Sequence, residues 1–177
     1  MTPIIRQAQI TDANGIAHVH IESWRTTYRG IVPDTFLASM SYEARERYWT
    51  GVLSQAESQD FVFVAQAEQG DIIGFTSGGP ERSGDPVYKG ELYAIYLLQE
   101  YQGQGIGRRL VASLAERLYQ AGMSSMLLWV LAANPACRFY EALGGLPLKT
   151  HQITIGGAML DEIAYGWLDI GRLRTLE

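Results

Sequence analysis

Cys137 is the chain's only cysteine among 177 residues, so no internal disulfide can form and nothing calls for an oxidising compartment. No apolar run approaches the roughly 20 residues that a membrane-crossing helix needs. The opening run, Met1-Thr2-Pro3-Ile4-Ile5-Arg6-Gln7, lacks the apolar stretch of a secretory signal. A cytoplasmic protein with no membrane partner is the expectation. Basic residues are outnumbered, 14 Lys and Arg against 19 Asp and Glu, which leaves a net charge of −5. A nucleic-acid partner would need a dense Lys/Arg footprint to neutralise phosphates, so that class is excluded. The chain has only 3 histidines. His18 and His20 stand two apart, on different faces of any helix, and make no metal pair, so no metal is expected.

Apolar residues make up 47% of the chain and charged residues 19%, enough to bury a sizeable core. The length favours one domain over residues 1–177. Alternation predicts a first strand from Ile4 to Ile10, and Thr11-Asp12 then offers a helix start. Ile16, Ala17, Val19 and Trp24 sit at helical spacings, up to about Tyr28. Short helices are predicted from Pro33 to Met40 and from Ser41 to about Leu53. Phe61–Ala65 and Ile72–Thr76 are strands joined by a turn at Glu68-Gln69-Gly70-Asp71. A loop rich in Gly and Pro, Gly78 to Gly90, leads to an apolar strand from Glu91 to Leu98.

A helix bearing Leu110, Val111, Leu114 and Leu118 on one face follows and is closed by Gly122. Met126–Leu131 reads as a buried strand. Pro135 suits the first turn of another helix that ends near Gly144-Gly145. Two last strands, about Leu148–Ile155 and Met159–Leu168, flank a hairpin turn at Gly156-Gly157. This order of elements predicts a three-layer α/β domain with a mixed sheet.

Between the apolar strand Glu91–Leu98 and the long helix lies Gln102-Gly103-Gln104-Gly105-Ile106-Gly107. Backbone N–H groups at such a turn have no intrahelical partner, and the helix dipole adds partial positive charge. Glycines let a bulky anion such as a pyrophosphate come close to the backbone. Arg108 and Arg109 add charge at the same end, so an acidic protein still holds a polyanionic cofactor locally. An ordinary glycine turn is the alternative reading. A Walker loop would end in Gly-Lys-Ser/Thr, whereas Gly107 is followed by Arg108-Arg109. A dinucleotide fingerprint is spaced Gly-x-Gly-x-x-Gly and follows a first strand, and these glycines alternate late in the chain.

The pattern Gln102-x-x-Gly105-x-Gly107 resembles the acetyl-CoA motif of the GNAT superfamily of N-acetyltransferases. The strand Leu92-Tyr93-Ala94-Ile95-Tyr96-Leu97-Leu98 is similar to that family's central strand. Asn134-Pro135-Ala136-Cys137-Arg138-Phe139-Tyr140-Glu141-Ala142-Leu143-Gly144-Gly145 is similar to its second motif. The resemblance implies a three-layer α-β-α fold with a central mixed, mostly antiparallel sheet, and transfer of acetyl from acetyl-CoA by direct attack of an amine. It implies that the backbone of Ile95, Tyr96 and Leu97 pairs with the pantetheine arm. The amides of Gly103, Gln104, Gly105, Ile106, Gly107 and Arg108 would take the pyrophosphate, and Gln102 and Asn134 would also contact the cofactor. The spacing from Asn134 to Tyr140 is one residue shorter than the family's common one.

Acetyl transfer to an amine needs a base for the ammonium, a donor to the carbonyl oxygen and an acid for the thiolate. The resemblance implies that the backbone amide near Leu97 is that donor. Glu91, placed as a catalytic glutamate is in some family branches, is the expected base, or else a strand-end carboxylate that attracts the amine. Tyr140 is the expected acid, against the alternative of a packed helix tyrosine. Trp24 and Tyr28, one helical turn apart near Glu22, line the acceptor pocket or pack in the core. Cys137 has no His-Asp pattern beside it and reads as a small core residue rather than a nucleophile. A negative chain with acidic site residues favours cationic primary amines, of small molecules or peptides. A non-catalytic acyl-CoA-binding module is the rival reading, and a homodimer through the terminal hairpin is the oligomer expected.

Overall fold

A computed structural model of the chain describes residues 2–55 and 58–176. Seven strands form one sheet: β1 (Ile4–Gln7), β2 (Phe61–Gln66), β3 (Ile72–Pro80), β4 (Gly90–Leu97), β5 (Met126–Leu131), β6 (Leu146–Ile155) and β7 (Ala158–Trp167). Their order is β1-β2-β3-β4-β5-β7-β6. Only β4 and β5 run parallel; the other neighbours are antiparallel. The helices are α1 (Ala13–Thr27), α2 (Asp34–Ser39), α3 (Tyr42–Leu53), α4 (Ile106–Gln120) and α5 (Cys137–Ala142).

Successive side chains of a strand point to opposite faces, and β2 shows what that does here. Phe61 and Phe63 pack against Val111, Leu114 and Leu118 of α4. Val62 and Val64 pack instead against Ile16 and Val19 of α1 and Trp49 of α3. The sheet is thus covered on both faces, giving the expected three layers. The α4 stripe of Leu110, Val111, Leu114 and Leu118 is fully buried, each side chain contributing about 1.5–3 kcal/mol of transfer free energy. Leu114→Ala would open a cavity costing about 2–5 kcal/mol. This close seat depends on Gly78, where a Cβ would lie 2.8 Å from a Leu114 methyl and 2.5 Å from the Glu91 carbonyl oxygen.

Several element boundaries differ from the sequence expectation. β1 ends at Gln7, because Asp12 accepts from the Gln9 amide at 2.7 Å and from the Arg6 guanidinium at 2.7 and 2.8 Å. That clamp folds Ile10–Asp12 into a 3₁₀ turn. β3 runs on through Gly78 and Gly79 to Pro80, where a loop was expected, since those glycines face α4 and Tyr93 rather than solvent. α5 starts at Cys137, not Pro135. A 3₁₀ turn at Gly171–Thr175 adds Leu173 to the α4-side core.

Two irregularities of β4 make the site. Ser77 pairs with Ala94 but Gly78 pairs with Leu92, so Tyr93 is an extra residue on β4. Such a bulge bends its strand. Leu92 and Ile95 therefore both join the α4-side core, while Ala94 and Tyr96 pack on the α1 side. β4 and β5 pair only from Gly90↔Met126 to Leu92↔Leu128. β5 stays paired with β7 along its whole length, so past Leu92 the two parallel strands part.

Candidate active site

Where β4 leaves β5 the fold opens a cleft of about 650 Å³. One wall is β4 from Leu92 to Leu97, and the opposite wall is Trp129 and Val130 of β5 with Asn134, Pro135, Ala136, Phe139 and Tyr140. Helix α1 contributes Ser23, Thr26, Thr27 and Tyr28, and the glycine turn contributes Gln102, Gly103, Gly105, Gly107 and Arg108. The β5-facing backbone of Ile95, Tyr96 and Leu97 has lost its strand neighbour. The Leu97 carbonyl instead accepts from the Gln102 side-chain amide at 3.0 Å.

Gly103 and Gly105 have φ of 74° and 81°, a left-handed conformation that a Cβ makes costly. Gly105 is the N-cap of α4 and offers no side chain to cap it. The first-turn N–H groups of Ile106, Gly107 and Arg108 are therefore left for an outside acceptor, reinforced by the dipole of a 15-residue helix. A Cβ on Gly103 or Gly105 would meet no protein atom within 4 Å, so the space before these amides is open. These residues fit an anion the size of a pyrophosphate. Ile106 is not in the cleft lining and has only its backbone to offer there, because its side chain is buried in the core with Leu110. Gln104 does not line the cleft; its amide donates to the Glu100 carbonyl at 3.0 Å. Arg109 turns away to the Pro3 carbonyl at 2.8 Å.

Tyr140 lines the cleft from α5 with 6% of its surface exposed. Its ring leans on Phe139 and Tyr165. Burial, with the Tyr28 phenol nearby, pushes its pKa well above the ordinary phenol value. Burial raises Tyr28 and Tyr96 in the same way, so all three hold their protons at neutral pH. Asn134 is buried, with its Oδ1 accepting from the Ala136 amide at 2.9 Å and its Nδ2 donating to the Tyr28 hydroxyl at 3.1 Å. Tyr28 thus lines the cleft, whereas Trp24 packs behind it, ring centroids 4.7 Å apart, and does not reach the lining. The buried Trp24 indole N–H and Ser23 hydroxyl have no partner among the described residues.

Glu91 lies outside the cleft lining and is 4% exposed. Arg82 holds both of its oxygens: the Arg82 amide and Nε donate to Oε2 at 3.1 and 3.3 Å, and a terminal nitrogen donates to Oε1 at 2.6 Å. The same guanidinium stacks 3.8 Å over the Tyr93 ring. Glu22 is likewise paired, with Arg25 at 3.3 Å. Cys137 points its thiol at the Leu131 carbonyl, 3.6 Å away, and burial raises its pKa, which suits no nucleophile. Among the described residues no three His, Cys, Asp or Glu side chains form a metal cluster, and no helix is long and apolar enough to cross a membrane.

Sequence reasoning missed Trp129 as a cleft residue. Its strand, Met126–Leu131, is otherwise buried. Alternation alone could not tell which face borders a gap, because the gap comes from β4.

A bent, bulged strand, a parallel neighbour that parts from it and an uncapped glycine turn fit an acyl-CoA-dependent transferase. Residues 20–145 match the family described as acetyltransferase (GNAT) family, and the chain belongs to that family. It is 45% identical over 172 residues to an uncharacterized N-acetyltransferase, YuaI, of Bacillus subtilis (strain 168), covering 97% of this chain and 96% of that one. It is 26% identical over 132 residues to a spermidine N(1)-acetyltransferase of Thermoplasma acidophilum, covering 73% and 79%. The crystal structure of the PaiA N-acetyltransferase of Thermoplasma acidophilum in complex with coenzyme A superposes with a TM-score of 0.73 at 26% identity, over 92% of this chain and 98% of that one. The protein is therefore a GNAT N-acetyltransferase, with acetyl-CoA as its acyl donor.

Proposed function

We propose that the chain works as one domain that moves the acetyl group of acetyl-CoA to a primary amine of a small molecule or peptide by direct attack. The observation that carries this reading is the position of the Tyr140 phenol, which is protonated and in the wall of the same cleft that the glycine turn borders. In this reading the amides of Gly103 to Arg108 bind the pyrophosphate and the freed edge of Ile95–Leu97 takes the pantetheine as an added strand. A backbone N–H near Leu97 donates to the thioester oxygen as negative charge develops there. The amine nitrogen attacks the carbonyl carbon, the C–S bond breaks, and Tyr140 gives its proton to the thiolate before regaining one from solvent.

Glu91 and Glu22 are both held by arginines, so neither is a free anion for a cationic acceptor. Selection falls to the walls formed by Tyr28, Tyr93 and Trp129. Two copies pairing through the exposed edge strand β6 would complete the assembly. The test is a screen of acceptors that reads free thiol released from acetyl-CoA. Spermidine, peptides with free N-termini, amino acids and aminoglycosides stand against matched alcohols. Release with amines alone supports the reading. Acetyl-CoA binding without release for any amine would favour a non-catalytic acyl-CoA-binding module.

A further inference from the structure

We propose that His151, held by Glu162, is the base that takes the proton from the acceptor ammonium. The inference rests on the amine acetylation proposed above and assigns a group to the one step that reading leaves without one.

Trp129 borders the cleft, and its strand partner on β7 is Ala164. A methyl group there is too small to separate Trp129 from the next strand. The His151 side chain of β6 therefore reaches over and lies on the indole, ring centroids 4.1 Å apart at 32°. Its register partner is Glu162, whose Oε2 stands 3.0 Å from Nε2. An ionised carboxylate only accepts hydrogen bonds, so Nε2 carries the hydrogen that faces Glu162, and in the neutral ring it is then Nδ1 that holds the lone pair. No described residue hydrogen-bonds to Nδ1, and the His151 side chain, 46% exposed, stands just outside the cleft lining against Trp129, where an amine seated on the indole can reach it.

The charges around the ring are arranged for a neutral base that becomes an imidazolium. Lys149, also on β6, lies 5.7 Å from the Trp129 ring, but Asp85 offsets it at 3.1 Å. Glu162 then remains as the anion that steadies the protonated ring. Its charge also reaches the cleft, where it disfavours ionisation of Tyr28 after burial has done most of that work. In the balanced step the ammonium N–H bond breaks and its proton goes to Nδ1. The freed lone pair forms the C–N bond, the C–S electrons leave on sulfur, and the phenolic proton of Tyr140 neutralises them. The second proton of the attacking nitrogen goes to solvent, the Tyr140 phenolate takes one back and the His151 imidazolium releases its own, which leaves amide, thiol and one proton.

The test compares wild-type protein with His151→Gln and Glu162→Gln, using acetyl-CoA with spermidine and with the fastest amine of the screen. The measurements are kcat/KM from pH 6 to 10, the acetyl-CoA dissociation constant and far-UV circular dichroism. For His151→Gln the expected result is a loss of about 10²–10⁴ near pH 7, the range for a positioned base. That loss should shrink steadily toward pH 10, where the amine sheds its proton unaided, with acetyl-CoA affinity unchanged. Glu162→Gln should follow the same pH trend with a smaller loss. A wild-type rate for His151→Gln near pH 7, or a loss by one constant factor at every pH, would overturn the base while leaving amine acetylation intact. Wild-type protein inert toward every amine would overturn both.

Discussion

The Asn134 side-chain amide donates to the Tyr28 hydroxyl across 3.1 Å, joining residues 106 positions apart inside the protein. The bond ties the C-terminal end of α1 to the segment that leads into α5, and both residues line the cleft. Asn134 also accepts from Ala136, so its side chain is a brace for the wall that carries Tyr140. Any contact from Asn134 to the acyl donor would use the second N–H of an amide that Tyr28 already orients.

Tyr140→Phe removes one hydroxyl and leaves the packing against Phe139 and Tyr165 in place. The expected result is a fall in kcat of about 10²–10⁴, with acetyl-CoA affinity and thermal midpoint close to wild type. Steady-state kinetics and calorimetric titration check it. An unchanged kcat would hand the thiolate's proton to solvent.

Gly105 and Gly107 should respond differently to alanine. Gly105 has φ of 81°, so a Cβ is strained there whatever the space, at a cost of about 1–2 kcal/mol. It would also project into the opening before the α4 amides and weaken acetyl-CoA binding. At Gly107, in the first turn of α4 with ordinary backbone geometry, a Cβ reaches 3.4 Å from the Phe139 ring, so Gly107→Ala should keep stability within about 1 kcal/mol. Urea unfolding and donor titration of the two variants measure the contrast.

Glu91→Gln tests the strand-end carboxylate directly. Its loss leaves the Arg82 guanidinium without the charge it grips, which should cost about 1–3 kcal/mol in chemical denaturation. The acidic limb of the pH–rate profile should persist. If that limb disappears while stability holds, Glu91 is the base and the Arg82 pair opens during turnover.

His20 should make the fold acid-sensitive well above the carboxylate range. Burial among Trp24, Trp49, Phe75 and Tyr96, with Arg45 adding to the effect, lowers its pKa to about 3. Its Nδ1 accepts from the Trp49 indole N–H at 3.2 Å, which a proton there would forbid. In the unfolded chain histidine titrates near 6.5. The stability tied to neutral His20 is therefore complete above about pH 6.5 and is lost as pH falls toward 3, by up to about 1.4 kcal/mol per unit. Urea unfolding at pH 7.5, 6 and 5 should show this slope in wild type and a shallower one in His20→Phe, which starts less stable because Trp49 loses its acceptor.

Reading the residues in order was enough for the parts of this protein whose cause is local. The α4 stripe from Leu110 to Leu118 repeats at helical spacing. The glycines of Gln102–Gly107 announce an uncapped helix start and carried the family resemblance, and the second motif, Asn134–Gly145, pointed to Tyr140. These signals lie within a turn or two of the residues they describe, so neighbouring side chains and backbone sterics suffice.

Packing decided the rest. The extra Tyr93 opposite Gly78 bends β4, and that bend, not any motif, parts it from β5 and opens the cleft. Arg82 closes on Glu91 because the β3–β4 loop folds back over the strand end, so the carboxylate expected as base is held by an arginine. His151 meets Trp129 only because β7 puts a methyl between them and β6 pairs with β7 in a register that also sets Glu162 beside the imidazole. Strand register shifts side chains between faces one residue at a time, and it depends on partners tens of residues away, so no local pattern could have announced which side chains meet beside the cleft.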